Sequence, residues 1–321
     1  MPLMGEIIRR PEALRRGATD RQLQRMCARG SWRRLRPGSF TDREQFDALD
    51  SVGRHRMLAE STVLASSPDA VLSHQSAAVV HGLALWNTPL LRVHLTRDRR
   101  TGGRASAVRH VHSAALDASE VTEVDGLRVT TLARTILDLA RTLPFEQVLV
   151  VGDHALHSTP LSSDDLNDAV ASIAGRPGSA VARRVLGLLD GRSESVGESR
   201  SRVLFLRHQL PLPEPQPNLY TADGEHLGRV DFLLEELGVV GEFDGLSKYG
   251  RLVPDGQTPA DVVCAEKLRE DAIRAEGWEV VRWTWSDLAT PPKLIRRILD
   301  AIERARPRSA PSGRVAYTPR P

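Results

Sequence analysis

The sequence predicts an α/β protein, α+β in its mixture and multidomain in plan. Three observations predict it. At about 150 residues per domain, a chain of 321 residues makes two or three domains. Residues 9–45 read as two short helices and a basic hairpin, whereas residues 193–305 read α-β-β-β-α-β. Between them runs a mixed stretch of helices and strands. The expected units are residues 1–48, 49–190 and 191–305, followed by a disordered tail, 306–321, rich in Pro, Ser and Arg.

Composition sets outer limits. Apolar residues make up 40% and charged residues 26%, the mix of a folded globular chain, which excludes collagen, coiled coil and whole-chain disorder. The longest apolar runs, 148–151 and 232–234, are too short to cross a membrane. Arg9 and Arg10 follow the first apolar residues, so no secretory leader is expected. Cys27 and Cys264 form neither a disulfide framework nor a zinc-binding set, and a reducing cytoplasm is the expected compartment.

In the first unit, Pro11 suits the first turn of a helix that runs through Leu14 and stops at Gly17. Thr19 and Gln22 form a capping box for a second helix, residues 20–29, with Leu23, Met26 and Cys27 on its inner face. Arg21, Arg25 and Arg29 recur every fourth residue on another face, and Gly30 ends the helix. Trp32–Arg36 and Ser39–Phe40 flank Pro37-Gly38 as a hairpin. This is the order of a winged helix-turn-helix. Residues 9–36 hold ten arginines against Glu12 and Asp20, a net charge of +8 in 28 residues. The chain has 44 basic residues and only three lysines, Lys248, Lys267 and Lys293. A GC-rich genome explains arginine in place of lysine, but it does not create net charge. The block is therefore expected to meet double-stranded DNA. The second helix would enter the major groove with Arg21, Gln22, Arg25 and Arg29, while Arg33, Arg34 and Arg36 contact phosphates from the wing. Gln22 has the competing task of the capping box.

The middle unit reads as a helix over 54–65, a second one capped by Ser73 and ended by Gly82, and strands over 91–96, 108–112 and 127–129. Helices follow over 131–143, 145–157 and 180–189, with a break at 175–178. His74 and His81 lie two turns apart, and His110 and His112 share a strand face; packing or surface polarity is the expected role of each.

The last unit reads as a helix over 196–208, a Pro-rich connector, and strands around Leu219, over 228–234 and over 238–243. A charged helix over 264–276 and a strand over 278–284 complete it. On the strand 228–234, Val230, Phe232 and Leu234 should face one side and Asp231 the other. Glu242 and Asp244 should share a face. Acids among apolar strand residues need compensation. Glu198, Asp231, Glu242 and Asp244 are accordingly candidate ligands for Mg²⁺ or Mn²⁺, hard ions that prefer oxygen. Such an ion polarises a scissile phosphate. Lys248 and Lys267 are candidate catalytic groups that stabilise the transition state, beside the catalytic acids Asp231 and Glu242.

The acids Glu198, Asp231 and Glu242, the runs 228–232 and 241–245, and Glu266-Lys267-Leu268-Arg269-Glu270-Asp271 ahead of 277–282 resemble the PD-(D/E)XK nucleases, in the branch near very-short-patch-repair endonucleases. The resemblance covers residues 193–300. It implies a restriction-endonuclease-like domain and metal-dependent phosphodiester hydrolysis. One position departs from the pattern: Asp244 stands where the motif has its lysine, so Lys248 or Lys267 would have to substitute. Residues 9–45, with the pattern 73–78, Gly82-Leu83 and 126–130, resemble AbiEi-family antitoxins of type IV toxin–antitoxin systems. That resemblance implies DNA binding and transcriptional repression, and it leaves a cognate toxin open as a partner. The reading that unites these signals is a DNA-binding protein with a Mg-dependent endonuclease domain. The alternative is a non-enzymatic, antitoxin-type regulator with a degenerate nuclease fold. Nothing in the residues separates DNA from RNA as substrate.

Overall fold

The computed structural model describes residues 6–99, 101–175, 178–245, 258–306 and 311–319. They form mixed α/β structure in two compact units, one of Met1–Val151 and Leu161–Gly187, the other of Gly152–Pro160 and Leu188–Pro321. The border expected at residue 48 lies inside the first unit. The border expected at 190 falls close to the observed one.

The first unit begins with β1 (Ile8–Arg9), α1 (Arg10–Arg15), α2 (Asp20–Ala28), β2 (Trp32–Arg36) and β3 (Ser39–Asp42). The strands form an antiparallel sheet in the order β1-β3-β2. The capping box is present: Thr19 Oγ1 accepts from Gln22 N, and Gln22 Oε1 accepts from Thr19 N at 2.7 Å. This fixes the start of α2 by satisfying two orphan donors. Gly17 and Gly30 close the two helices at φ of +89° and +80°, a conformation that costs glycine little. Ala13, Leu23 and Phe40 form a small core of their own, with Ile8, Cys27 and Trp32 packed against it.

The chain continues through α3 (Arg43–Ala48), α4 (Ser51–Val63), β4 (Val71–Leu72), α5 (His74–Val80), β5 (Val93–Asp98), β6 (Arg104–Ala105), β7 (Arg109–Ala114), β8 (Val121–Val124) and β9 (Leu127–Thr130). These six strands make one mixed sheet in the order β6-β7-β5-β4-β9-β8. Ala59, Leu72, Ala77, Val93, Leu95 and Val129 are among its buried core residues. Helices α6 (Leu132–Ala140), α7 (Phe145–Ser158), α8 (Ser163–Ser172) and α9 (Ser179–Leu186) follow. Helix α8 has no counterpart in the sequence expectations, although Ser162 and Asp165 cap it. Ser73 sits at the N-cap of α5 but makes no side-chain cap bond; its hydroxyl is engaged by His74 and Thr96 instead.

The second unit contains α10 (Val196–Arg207), β10 (Glu214–Pro215), β11 (Asn218–Tyr220), β12 (His226–Arg229), β13 (Phe232–Leu234), β14 (Val239–Asp244), α11 (Pro259–Ala275), β15 (Glu279–Thr284), α12 (Trp285–Ala289), α13 (Pro291–Ala305) and β16 (Arg314–Ala316). One sheet has the order β10-β13-β14-β15, with β14 and β15 parallel; a second has the order β12-β11-β16.

Two expectations are corrected here. The single strand 228–234 is two strands in different sheets, broken at Val230-Asp231. Val230 and Leu233 pack with Leu219 and Val240, while Phe232 and Leu234 pack with Phe205 and Trp283. In a straight strand Val230 would share the face of Phe232 and Leu234; it packs with Leu233 instead, so the chain turns between them. The tail is ordered over 311–319: β16 pairs with β11, and Thr318 Oγ1 donates to the Gln216 carbonyl at 2.6 Å.

Gly197 lets α10 approach β14. A Cβ at this position would overlap the Phe243 ring. Gly197→Ala is expected to destabilise the second unit by about 1–3 kcal/mol through overpacking, read as a lower urea midpoint at unchanged slope.

Candidate active site

The acids singled out in the last unit are neighbours, held by different elements. Glu198 is the third residue of α10. Ser195 Oγ caps that helix by accepting from Glu198 N, and it donates to Glu198 Oε1 at 2.7 Å. Glu194 N donates to Glu198 Oε2 at 3.0 Å. Part of the work of Glu198 is therefore to secure the start of its own helix. Asp231 occupies the break between β12 and β13. Phe243 lies beyond the last residue paired across β13 and β14, and Asp231 Oδ2 takes its N–H at 2.8 Å, in place of a ladder bond. Glu242 and Asp244 alternate with buried residues on β14, facing Arg282 and Thr284 of β15 in register.

Gln216 links two of these acids, and the sequence reading missed it. Its side chain is buried, its φ is +56°, and its Nε2 donates to Glu198 Oε2 at 2.8 Å and reaches Asp231 Oδ1 at 3.4 Å. The basic partner of the site was also missed. Arg269 Nη2 donates to Glu242 Oε1 at 3.0 Å and to Glu266 Oε1 at 2.8 Å, and Arg282 Nη2 donates to the same Glu266 oxygen at 2.6 Å. Helical spacing offered the signal: Glu266, Arg269 and Glu270 share the face of α11 turned to the sheet. Lys267 is one position round from Glu266 and exposed, so it does not join the acids as expected. Lys248 lies outside the described residues.

Burial and the negative charge of Asp231 push the Glu242 carboxyl up to about 7, against the pull of Arg269. Burial and Asp231 also raise Glu198. A carboxyl raised above its unfolded value stabilises the fold below that value and loses this stability as pH rises through the folded one. For Glu242 the loss runs from pH about 4.5 to about 7. Glu242→Gln is expected to remove this pH dependence and to make the second unit more stable than wild type at pH 8, by on the order of 2–3 kcal/mol. Urea unfolding at pH 5 and pH 8 checks it.

The ligand atoms of Glu198, Asp231 and Glu242 do not form a closed set. Among the described residues, the group of His, Cys, Asp and Glu side chains whose ligand atoms all lie within 4.8 Å of one another is His74, His94 and His112, in the first unit. The acids of the second unit form a line joined by Gln216 and closed by Arg269.

In the first unit, Arg21, Arg25, Arg29, Arg33 and Arg34 are exposed. Arg25 and Arg29 border an open depression of about 580 Å³ with Arg16, Gln22 and Met26. Three of the expected DNA contacts are otherwise engaged: Arg33 Nη1 lies 3.5 Å from Asp47 Oδ1, with its guanidinium over the Phe46 ring. The Gln22 amide oxygen is held by the capping box, and Arg36 Nη1 donates to the Ser61 carbonyl at 2.6 Å, which ties β2 to α4.

The fold and site thus define a mixed α/β chain with a basic helical segment and a buried line of acids. No helix among the described residues is long and apolar enough to cross a membrane. No family model matches the chain. Two uncharacterized proteins of Mycobacterium tuberculosis, Rv2248 of strain H37Rv and MT2308 of strain CDC 1551, are each 30% identical over 238 residues, 74% of this chain and 83% of theirs. The chain belongs to the family of these mycobacterial proteins. The crystal structure of the RV2827C protein from Mycobacterium tuberculosis aligns over 56% of this chain and 71% of its own, at 16% identity and a TM-score of 0.39.

Proposed function

We propose that the chain binds double-stranded DNA through α2 and the following hairpin, read as a winged helix-turn-helix. Its second unit, read as a restriction-endonuclease-like domain, would cleave a DNA phosphodiester with Mg²⁺ or Mn²⁺. The observation that carries this reading is the buried acidic line, in which Asp231 raises the carboxyls of both Glu198 and Glu242. Acids that repel one another at this burial are compensated by a divalent cation, and an all-oxygen donor set fits a hard ion. Asp231 and Glu242 would hold it, with Glu198 and Asp244 flanking. When bound, the ion polarises the phosphate and lowers the pKa of a water. Arg269 would take the place expected of Lys267 and Lys248, as the basic group beside Glu242. Arg21, Arg25, Arg29, Arg33 and Arg34 would meet the DNA backbone and groove.

One observation favours a second reading. Arg269 and Arg282 already neutralise Glu242 and Glu266 by direct ion pairs. A site balanced this way needs no metal, which is the state of a degenerate nuclease fold in a non-enzymatic, antitoxin-type regulator.

The test is cleavage of supercoiled plasmid and of single- and double-stranded DNA and RNA with Mg²⁺ or Mn²⁺, by wild type and Asp231→Ala. Metal-dependent cutting by wild type alone is the expected result. Equal cutting by both chains overturns the assignment. An uncut substrate combined with a steeply salt-dependent duplex shift selects the second reading.

A further inference from the structure

The imidazoles of the first unit form a second arrangement, unrelated to the acids. Strands β5 and β7 are parallel, with His94 opposite His110 and Thr96 opposite His112. Ser73 N bonds the His94 carbonyl at 3.1 Å, which brings the start of α5 onto β5. His74, the first residue of α5, is buried and has φ of +52°. Non-glycine residues in this region cost on the order of 1 kcal/mol or more, and they persist where the fold needs the side chain placed. The His74 ring stacks on His112 with centroids 3.8 Å apart and planes at 13°. His94 Nδ1 lies 3.0 Å from His112 Nε2. Ser73 Oγ is 3.0 Å from His74 Nδ1 and accepts from Thr96 Oγ1 at 2.8 Å.

We propose that His74, His94 and His112 bind a late first-row divalent transition ion, of which Zn²⁺ is the type case. One ring nitrogen from each lies within 4.8 Å of the other two. Tetrahedral coordination at about 2.0–2.1 Å places ligand nitrogens roughly 3.3–3.4 Å apart, so the His94–His112 pair opens by a few tenths of an ångström, and the stacked rings of His74 and His112 must turn apart for both lone pairs to reach one ion. An all-imidazole set suits Zn²⁺, Co²⁺, Ni²⁺ or Cu²⁺ and disfavours Mg²⁺ and Ca²⁺. With the proton of His74 on Nδ1, 3.0 Å from Ser73 Oγ, its Nε2 lone pair would be left for the ion and Ser73 would be the hydrogen-bonded outer partner behind the ligand. Burial and mutual repulsion favour the neutral rings; the N–H between His94 Nδ1 and His112 Nε2 would move to the other nitrogen of its ring for both to bind the ion. The ion would join the start of α5 to two strands of the six-stranded sheet. His110, stacked on His112 at 3.9 Å, stays outside the ligand set.

The experiment uses the full chain without an affinity tag, stripped with chelator, in an Asp231→Asn background that weakens ion binding at the acids while keeping the acceptor for Phe243 N. Co²⁺ is titrated and followed by visible absorption. Zn²⁺ is then added as competitor, and the melting temperature is recorded with and without Zn²⁺. The expected result is one equivalent of Co²⁺ with the intense bands of a tetrahedral site, displaced by Zn²⁺, and a melting temperature raised by Zn²⁺. His112→Ala and His94→Gln should each weaken binding at least about 100-fold and abolish the shift, while His110→Ala keeps both. The absence of stoichiometric Co²⁺ binding overturns the proposal, whatever the variants do. Undiminished affinity in either ligand variant does so too. The outcome is independent of any nuclease assay.

Discussion

Asp231→Ala is expected to lower metal-dependent cleavage by at least about 10²–10³-fold, the usual loss when one preorganised charge leaves an active site. Asp231 is the acid common to both neighbours: it raises Glu198 on one side and Glu242 on the other. Removing it relaxes both and takes the central donor from the ion. The same substitution also strips the acceptor from Phe243 N, and an unsatisfied buried donor costs about 1–3 kcal/mol. Loss of activity could thus reflect loss of fold. Asp231→Asn separates the two, because its amide oxygen can still take the Phe243 N–H while its charge is gone. The expected pattern is near-wild-type unfolding for Asp231→Asn, with no cleavage by either variant. Retained cleavage in a folded Asp231→Asn would remove Asp231 from the chemistry.

Asp153→Ala should destabilise the second unit by about 3–5 kcal/mol, the range for breaking a buried ion pair and stranding its partner. Asp153 is 0% exposed. It accepts from Arg202 Nη1 at 2.6 Å and from Asp190 N at 2.8 Å. Burial outweighs Arg202 and pushes the carboxyl up to about 6. Without it, Arg202 Nη2 still donates to the Leu188 carbonyl at 2.7 Å, but the guanidinium loses its buried counter-charge. Asp153→Asn resembles the protonated acid and keeps the acceptor for Asp190 N, so its loss should be the smaller of the two. Urea midpoints of both variants at pH 8 check the order; equal losses would mean that the charge lost in both, and not the acceptor that Asn keeps, is what holds this corner.

The parts of the fold that could be read from sequence are those specified locally. Thr19 and Gln22 announce α2, and Gly17 and Gly30 end α1 and α2, because caps and left-handed turns depend on a few adjacent residues. The outline of a helix, a run of strands, a long charged helix and a further strand was legible for the same reason, but the run holds five strands, β10 to β14, where three were expected. What escaped depends on contacts distant in sequence. The break at Asp231 follows from Val230 and Phe232 joining different cores. Gln216 sits in a Pro-rich connector with no periodic signal and owes its position to Glu198 and Asp231. The lysine count singled out Lys267 of α11, whereas Arg269 of the same helix is the residue that reaches Glu242. The histidines gave no sequence signal, since His74, His94 and His112 come from a helix and two strands that meet only in the sheet.

The pairing of β16 with β11 sets an order of events during synthesis. Thr318 is 102 residues beyond Gln216, whose carbonyl it holds. A nascent chain at a ribosome can form α10, β13 and β14 before residues 314–318 have left the exit tunnel, but β11 must wait with one edge unpaired. Closing so long a loop is slow, and an open edge invites pairing with other chains. The carbonyl of Gln216, the residue that bridges Glu198 and Asp231, gains its partner only when Thr318 arrives.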